Sequence, residues 1–134
     1  NAPSLLLEQD DLEFKDKLSV NKWSKQEILG HLIDSAANNH QRFVRSQFEA
    51  VPVIPYDQNE WNKYNYYNEF SKTQLVEFWT VYNTQILQLA QLIPDELLSK
   101  ECNPGNDEQY TIAYLFNDYV DHLEYHLKQI IAID

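Results

Sequence analysis

The chain has 134 residues, one domain's length by the usual prior, spanning 1–134, and enough to bury one hydrophobic core. It carries 21 acidic and 10 basic residues, a net charge of −11, so its long-range field repels nucleic acid and anionic membrane surfaces. A single cysteine, Cys102, excludes an internal disulfide and a Cys-rich zinc ribbon, and no apolar run approaches the ~18 residues of a membrane span. Leu5-Leu6-Leu7 is too short for the apolar region of a signal peptide, so a soluble cytoplasmic protein is expected. There is no methionine, even at position 1, and a trimmed start is expected.

From Leu5 to Leu18 a weak helical pattern is interrupted by Asp10, Asp11 and Asp16. Ser24-Lys25-Gln26-Glu27 has the capping-box form, and the helix it opens is predicted to run from Lys25 to about Phe48, before Pro52 and Pro55. Its apolar side is Ile28, Leu29, Leu32, Ile33, Ala36 and Phe43, with Glu27, Asp34 and Gln41 expected in solvent. Tyr56 to Phe70 mixes aromatic and amide residues without a period, and reads as an irregular crossover with a short helical turn. A second capping box, Ser71-Lys72-Thr73-Gln74, opens a helix whose stripe is Leu75, Trp79, Tyr82, Ile86, Leu89 and Ile93. Pro94 stops it, and 95–109 reads as loop around Asn103-Pro104-Gly105-Asn106. Thr111 is the expected N-cap of a last helix, from Ile112 to about Ile133. The predicted class is all-α: a four-helix bundle with one long crossover connection.

The histidines carry the candidate chemistry. On the last helix His122 and His126 lie about 40° apart, at the border of the apolar stripe, where i and i+4 side chains can share one metal ion. The pair also reads as two half-buried rings hydrogen-bonded to neighbours such as Asp118 or Gln129. On the earlier helix His31, Ser35, Asn38, Arg42 and Arg45 fall in a strip about 80° wide beside the core. His31 then points toward a neighbouring helix, while His40 lies about 180° away and is excluded. If that neighbour is the last helix, three imidazoles converge and leave one coordination position open, the arrangement of a catalytic centre. Asp118 and Gln129 are candidates to orient the rings from behind. Trp61 and its aromatic neighbours either line the site or plug the end of the bundle, and Ser35, Asn38, Arg42 and Asn83 are further pocket candidates. Arg42 or Arg45 could attract an anionic substrate group, or simply lie on the solvated face. Cys102, without a basic neighbour in sequence, reads as inert.

From Lys22-Trp23-Ser24 through Gly30-His31-Leu32-Ile33-Asp34-Ser35, and again from Asp118-Tyr119-Val120-Asp121-His122 through His126-Leu127, the chain resembles the DinB superfamily, within it the YfiT-like branch of metal-dependent hydrolases. Asp57-Gln58, Trp61-Asn62 and Tyr82-Asn83 are also similar to that branch, and the first helix departs from it in being short and weak. The resemblance implies a four-helix bundle, often a homodimer, with a divalent ion, nickel or zinc, held by His31, His122 and His126. It further implies a small-molecule substrate and either hydrolysis by metal-bound hydroxide or transfer to a low-molecular-weight thiol bound as thiolate. The competing expectation is a non-catalytic bundle that binds metal or dimerises through a degenerate site.

Overall fold

The computed structural model describes residues 2–17, 19 and 21–131. Among the described residues six α-helices follow in order: α1 (Ala2–Leu7), α2 (Asp11–Phe14), α3 (Lys25–Arg45), α4 (Gln58–Tyr64), α5 (Lys72–Leu92) and α6 (Ile112–Ile131). A two-residue antiparallel ladder, β1 (Glu101–Cys102) with β2 (Tyr110–Thr111), closes the loop before α6. The three long helices and α1 form the expected all-α bundle: α3 packs against both α5 and α6, and α1 lies against α5 and α6. The long crossover holds α4 and a 3₁₀ turn at Tyr67–Glu69, both packed on α3. Among the described residues no helix is long and apolar enough to cross a membrane.

The predicted starts of the long helices rest on real caps. Ser24 accepts from the Glu27 amide at 3.0 Å, and Glu27 returns a bond to the Ser24 amide at 2.9 Å, a complete capping box. Ser71 accepts from the Gln74 amide at 3.1 Å, so this cap holds by its hydroxyl half. Thr111 Oγ1 accepts from the Tyr114 amide at 3.1 Å at the head of α6.

Three segments differ from expectation. The weak first segment is two short helices, because Asp10 caps a new start by accepting from the Leu12 and Glu13 amides; Leu18 lies outside the described residues. Helix α3 ends at Arg45, short of Phe48, since the amides of Gln47 and Phe48 bond three residues back and tighten the chain into turns. The segment before α6 is not all loop: it contains a 3₁₀ turn at Asp95–Leu97 and the β1–β2 ladder. Helix α6 is described to Ile131, and the expected end at Ile133 lies outside the described residues.

Two apolar clusters fill the bundle. One gathers Leu6, Phe14, Leu29, Leu32, Tyr67, Trp79 and Ile130 around the first half of α3. The other gathers Ala36, Phe43, Ile86, Cys102, Ile112 and Tyr119 around its second half. Cys102 is fully buried, and burial pushes its thiol pKa up, which keeps it protonated and unreactive. At the N-terminal end the buried Lys72 ammonium donates to the carbonyls of Leu7 and Gln9 and meets Asp11 at 3.1 Å, tying α1 and α2 to α5.

Candidate metal centre

Helix α3 brings His31 to the site one turn after its capping box, with 1% of its surface exposed. The preceding residue has to be glycine. A Cβ on Gly30 would lie 2.1 Å from the Tyr67 ring, which packs flat on α3 at that point. The Tyr67 hydroxyl then donates to Asp34 Oδ1 at 2.5 Å, and Asn65 donates to the same oxygen at 3.0 Å. The crossover is thus pinned to α3 immediately beside His31. Asn62 adds a bond to the Glu27 carbonyl at 2.7 Å, and Trp23 places its ring 4.9 Å from that of His31.

Asp34 corrects the wheel. It was expected in solvent with Glu27 and Gln41, yet it is 1% exposed because Tyr67 and Asn65 cover it. Burial raises its carboxyl pKa to about 6, against the lowering effect of those two donors.

Helix α6 supplies the other two rings. His31 Nε2 stands 3.0 Å from His122 Nε2, and one nitrogen from each of His31, His122 and His126 falls within 4.8 Å of the others. The three ring centroids are 4.5–4.8 Å apart and the planes meet at 74–83°, so the rings converge by their edges instead of stacking. Two nitrogens about 2.0–2.1 Å from one tetrahedral ion stand about 3.3 Å apart, close to the 3.0 Å between His31 and His122. His126 turns its Nδ1 to the Gln129 side-chain amide oxygen at 2.8 Å, leaving Nε2 for the common point. Burial, together with the neighbouring imidazoles, holds His31 down at about 3. His122 is also lowered, by burial and then by His126, while the Asp118 carboxylate pulls the other way. His31 is therefore a neutral nitrogen donor at pH 7, as a cation requires. Its Nδ1 is buried without a hydrogen-bond partner among the described residues. By donor type, by the convergence of the three rings and by the neutral state of His31, this set fits one divalent ion with a coordination position to spare.

Two cavities open beside the cluster. The smaller, about 230 Å³, is lined by His122, Ser35, Arg42, Tyr56, Asp118 and Tyr119 among others. The larger, about 860 Å³, reaches His126 and is bordered by Trp23, Lys22, Lys25, Asn59 and Gln129. Ser35 and Arg42 thus face the same space as His122. Asn38, Trp61 and Asn83 line neither cavity: Asn38 donates to the Asp34 carbonyl at 2.9 Å, Asn83 accepts from the Tyr119 hydroxyl at 2.8 Å, and Trp61 packs on Tyr56 at 6.0 Å. Asp118 stands in the smaller cavity and acts on His122 through its charge; no hydrogen bond joins the two among the described residues. His40 faces away, bonded to the Tyr82 hydroxyl at 2.9 Å. The residues that sequence reasoning missed are Asp34, Asn62, Asn65 and Tyr67. The one local signal for them is that Asp34 follows His31 by three residues, one helical turn.

The fold has a solved counterpart. YfiT from Bacillus subtilis, described as a "probable metal-dependent hydrolase with an unusual four-helix bundle topology", superposes with a TM-score of 0.83 at 21% identity, over 96% of this chain and 77% of that one. No curated protein matches the chain. The family model of the DinB superfamily matches residues 2–130, nearly the whole sequence. This chain belongs to the DinB superfamily.

Proposed function

We propose that the chain is a metal-dependent enzyme acting on a small molecule, with His31, His122 and His126 as the metal ligands and hydrolysis as the leading reaction. The observation that carries the reading is the edge-on convergence of three imidazoles from two helices beside an open cavity. When bound, a divalent ion on three neutral nitrogens supplies Lewis acidity and lowers the pKa of a water or thiol at its open position. Zinc and nickel both suit such a nitrogen set. Gln129 fixes the tautomer and orientation of His126. Asp118, in the cavity beside His122, is placed to accept a proton from the group that attacks.

A second reading, transfer to a low-molecular-weight thiol, draws support from the two cavities. One borders His122 and the other His126, so two organic reactants could approach the cluster from different sides, whereas hydrolysis needs only one. A homodimer is proposed from the family resemblance, and the mass in solution reads it directly.

The test is elemental analysis of the purified protein followed by turnover assays on ester substrates, with and without added thiols. Turnover that requires the bound ion and disappears in His122→Ala supports the enzyme. Thiol-independent turnover selects hydrolysis, and thiol-dependent turnover selects transfer. A tightly bound ion without turnover on either substrate class leaves a metal-binding bundle instead.

A further inference from the structure

Arg42 is a buried cation with no ion-pair partner in contact among the described residues. It is 8% exposed, and its Nε and Nη2 both donate to the Ile54 carbonyl, at 3.1 and 2.8 Å. Among the described residues no carboxylate lies within 4.0 Å of it. The Tyr56 ring lies 5.6 Å from the guanidinium carbon, and against the lowering effect of burial the Asp118 carboxylate acts on Arg42 through its charge, beyond ion-pair contact. A guanidinium taken out of water is costly unless an anion or a full set of acceptors meets it. Neighbouring Arg45 shows the contrast, since it is clamped by Glu49 at 2.6 and 3.1 Å and has no cation to offer.

Position gives the unpaired charge a use. Arg42 lies eleven residues after His31, three turns along the same face of α3, and helical side chains lean toward the N-terminus, here toward His31. The guanidinium and His122 line one small cavity, together with the hydroxyls of Ser35 and Tyr56. We propose that Arg42 is a substrate-binding residue that holds a carboxylate group at the far end of this cavity and so directs the rest of a short molecule toward the histidines. This rests on the proposed function in one respect: the cluster is the reacting end.

The charge count selects the anion. One guanidinium and one carboxylate, Asp118, face the cavity, and the whole chain carries −11. A phosphate carries up to two charges near neutral pH and would face Asp118 with one arginine to answer it. A carboxylate carries one, and its two oxygens match the planar guanidinium fork. The volume, about 230 Å³, is below the usual range for drug-sized ligands, so the occupant is small.

The probe is succinate, with succinamide as its uncharged analogue and inorganic phosphate as the competing anion. Each is titrated into the chelator-treated protein, so that no metal can take the carboxylate, and then into the metal-loaded protein. The Arg42 Nε–H resonance reports contact directly. Succinate is expected to shift it and succinamide to leave it in place. Arg42→Gln should weaken succinate binding by about tenfold or more, with Arg42→Lys between the two. His31→Ala should bind the ion more weakly yet keep succinate on Arg42, so failure of the metal reading and failure of this one give different results. Equal binding of succinate and succinamide overturns the proposal, as does a silent Arg42 resonance under saturating succinate. Tighter binding of phosphate than of succinate overturns the assigned class. The first comparison uses the unaltered chain and decides the matter even if Arg42→Gln does not fold.

Discussion

The Nδ1 of His126 and the side-chain oxygen of Gln129, 2.8 Å apart on successive turns of α6, form a hydrogen bond that decides which nitrogen of the ring is free. An amide oxygen only accepts, so Nδ1 carries the proton and Nε2 is left with its lone pair toward His31 and His122. Partners of this kind orient a ligating ring and raise its basicity. Gln129→Leu is therefore expected to weaken metal affinity by about ten- to hundredfold, while Gln129→Glu keeps or strengthens it. Competition with a chromophoric chelator measures both. Unchanged affinity in Gln129→Leu would show that His126 needs no such support.

Gly30 and Tyr67 make a second, steric prediction. Gly30→Ala drives a methyl group into the ring of a tyrosine that cannot swing away, because its hydroxyl is held by buried Asp34. Overpacking of this kind costs about 1–3 kcal/mol, here next to a metal-ligand candidate. Urea denaturation should show the loss. A variant as stable as the parent would mean that the crossover can lift from α3 without penalty.

Asp34 gives the stability a pH signature. Its folded pKa is about 6, raised from 3.8 by burial. A carboxyl with a raised folded pKa holds its proton more tightly in the native state, so its contribution is fully present below 3.8 and is lost as pH rises through about 6. In Asp34→Asn this group no longer titrates. The stability difference, parent minus variant, should fall between those two pH values and be level on either side. A difference that does not change across this window would contradict the burial argument.

Lys72 concerns the N-terminal segment. Its ammonium is 2% exposed and bonds to the carbonyls of Leu7 and Gln9. Lys72→Met leaves those carbonyls without their donor, at a cost of about 1–3 kcal/mol. Amide exchange should speed up in 2–14 while the α3–α6 pair keeps its protection. Uniform exchange across the chain would show that α1 and α2 unfold only with the bundle.

Much of this was legible in the sequence, for reasons that the elements make plain. The capping residues Ser24, Ser71 and Thr111 act within four residues of themselves, so local pattern suffices to find them. His31, His122 and His126 sit on long, strongly periodic helices, where a wheel places side chains reliably. Asp34 was misplaced because a wheel sees only its own helix, and the residues that bury it, Asn65 and Tyr67, come from a crossover without a period. Asn62 escaped for the same reason: its partner, the Glu27 carbonyl, is 35 residues away. The ladder at Cys102 and Tyr110 is two residues long on each side, too short to show alternation.

X-ray absorption of the metal-loaded protein reads the proposed sharing of one ion by three imidazoles from two helices. Three imidazole nitrogens are expected at about 2.0–2.1 Å from the ion in the parent chain, and two in His31→Ala. A first shell with fewer than three imidazoles, or one unchanged by His31→Ala, would contradict it.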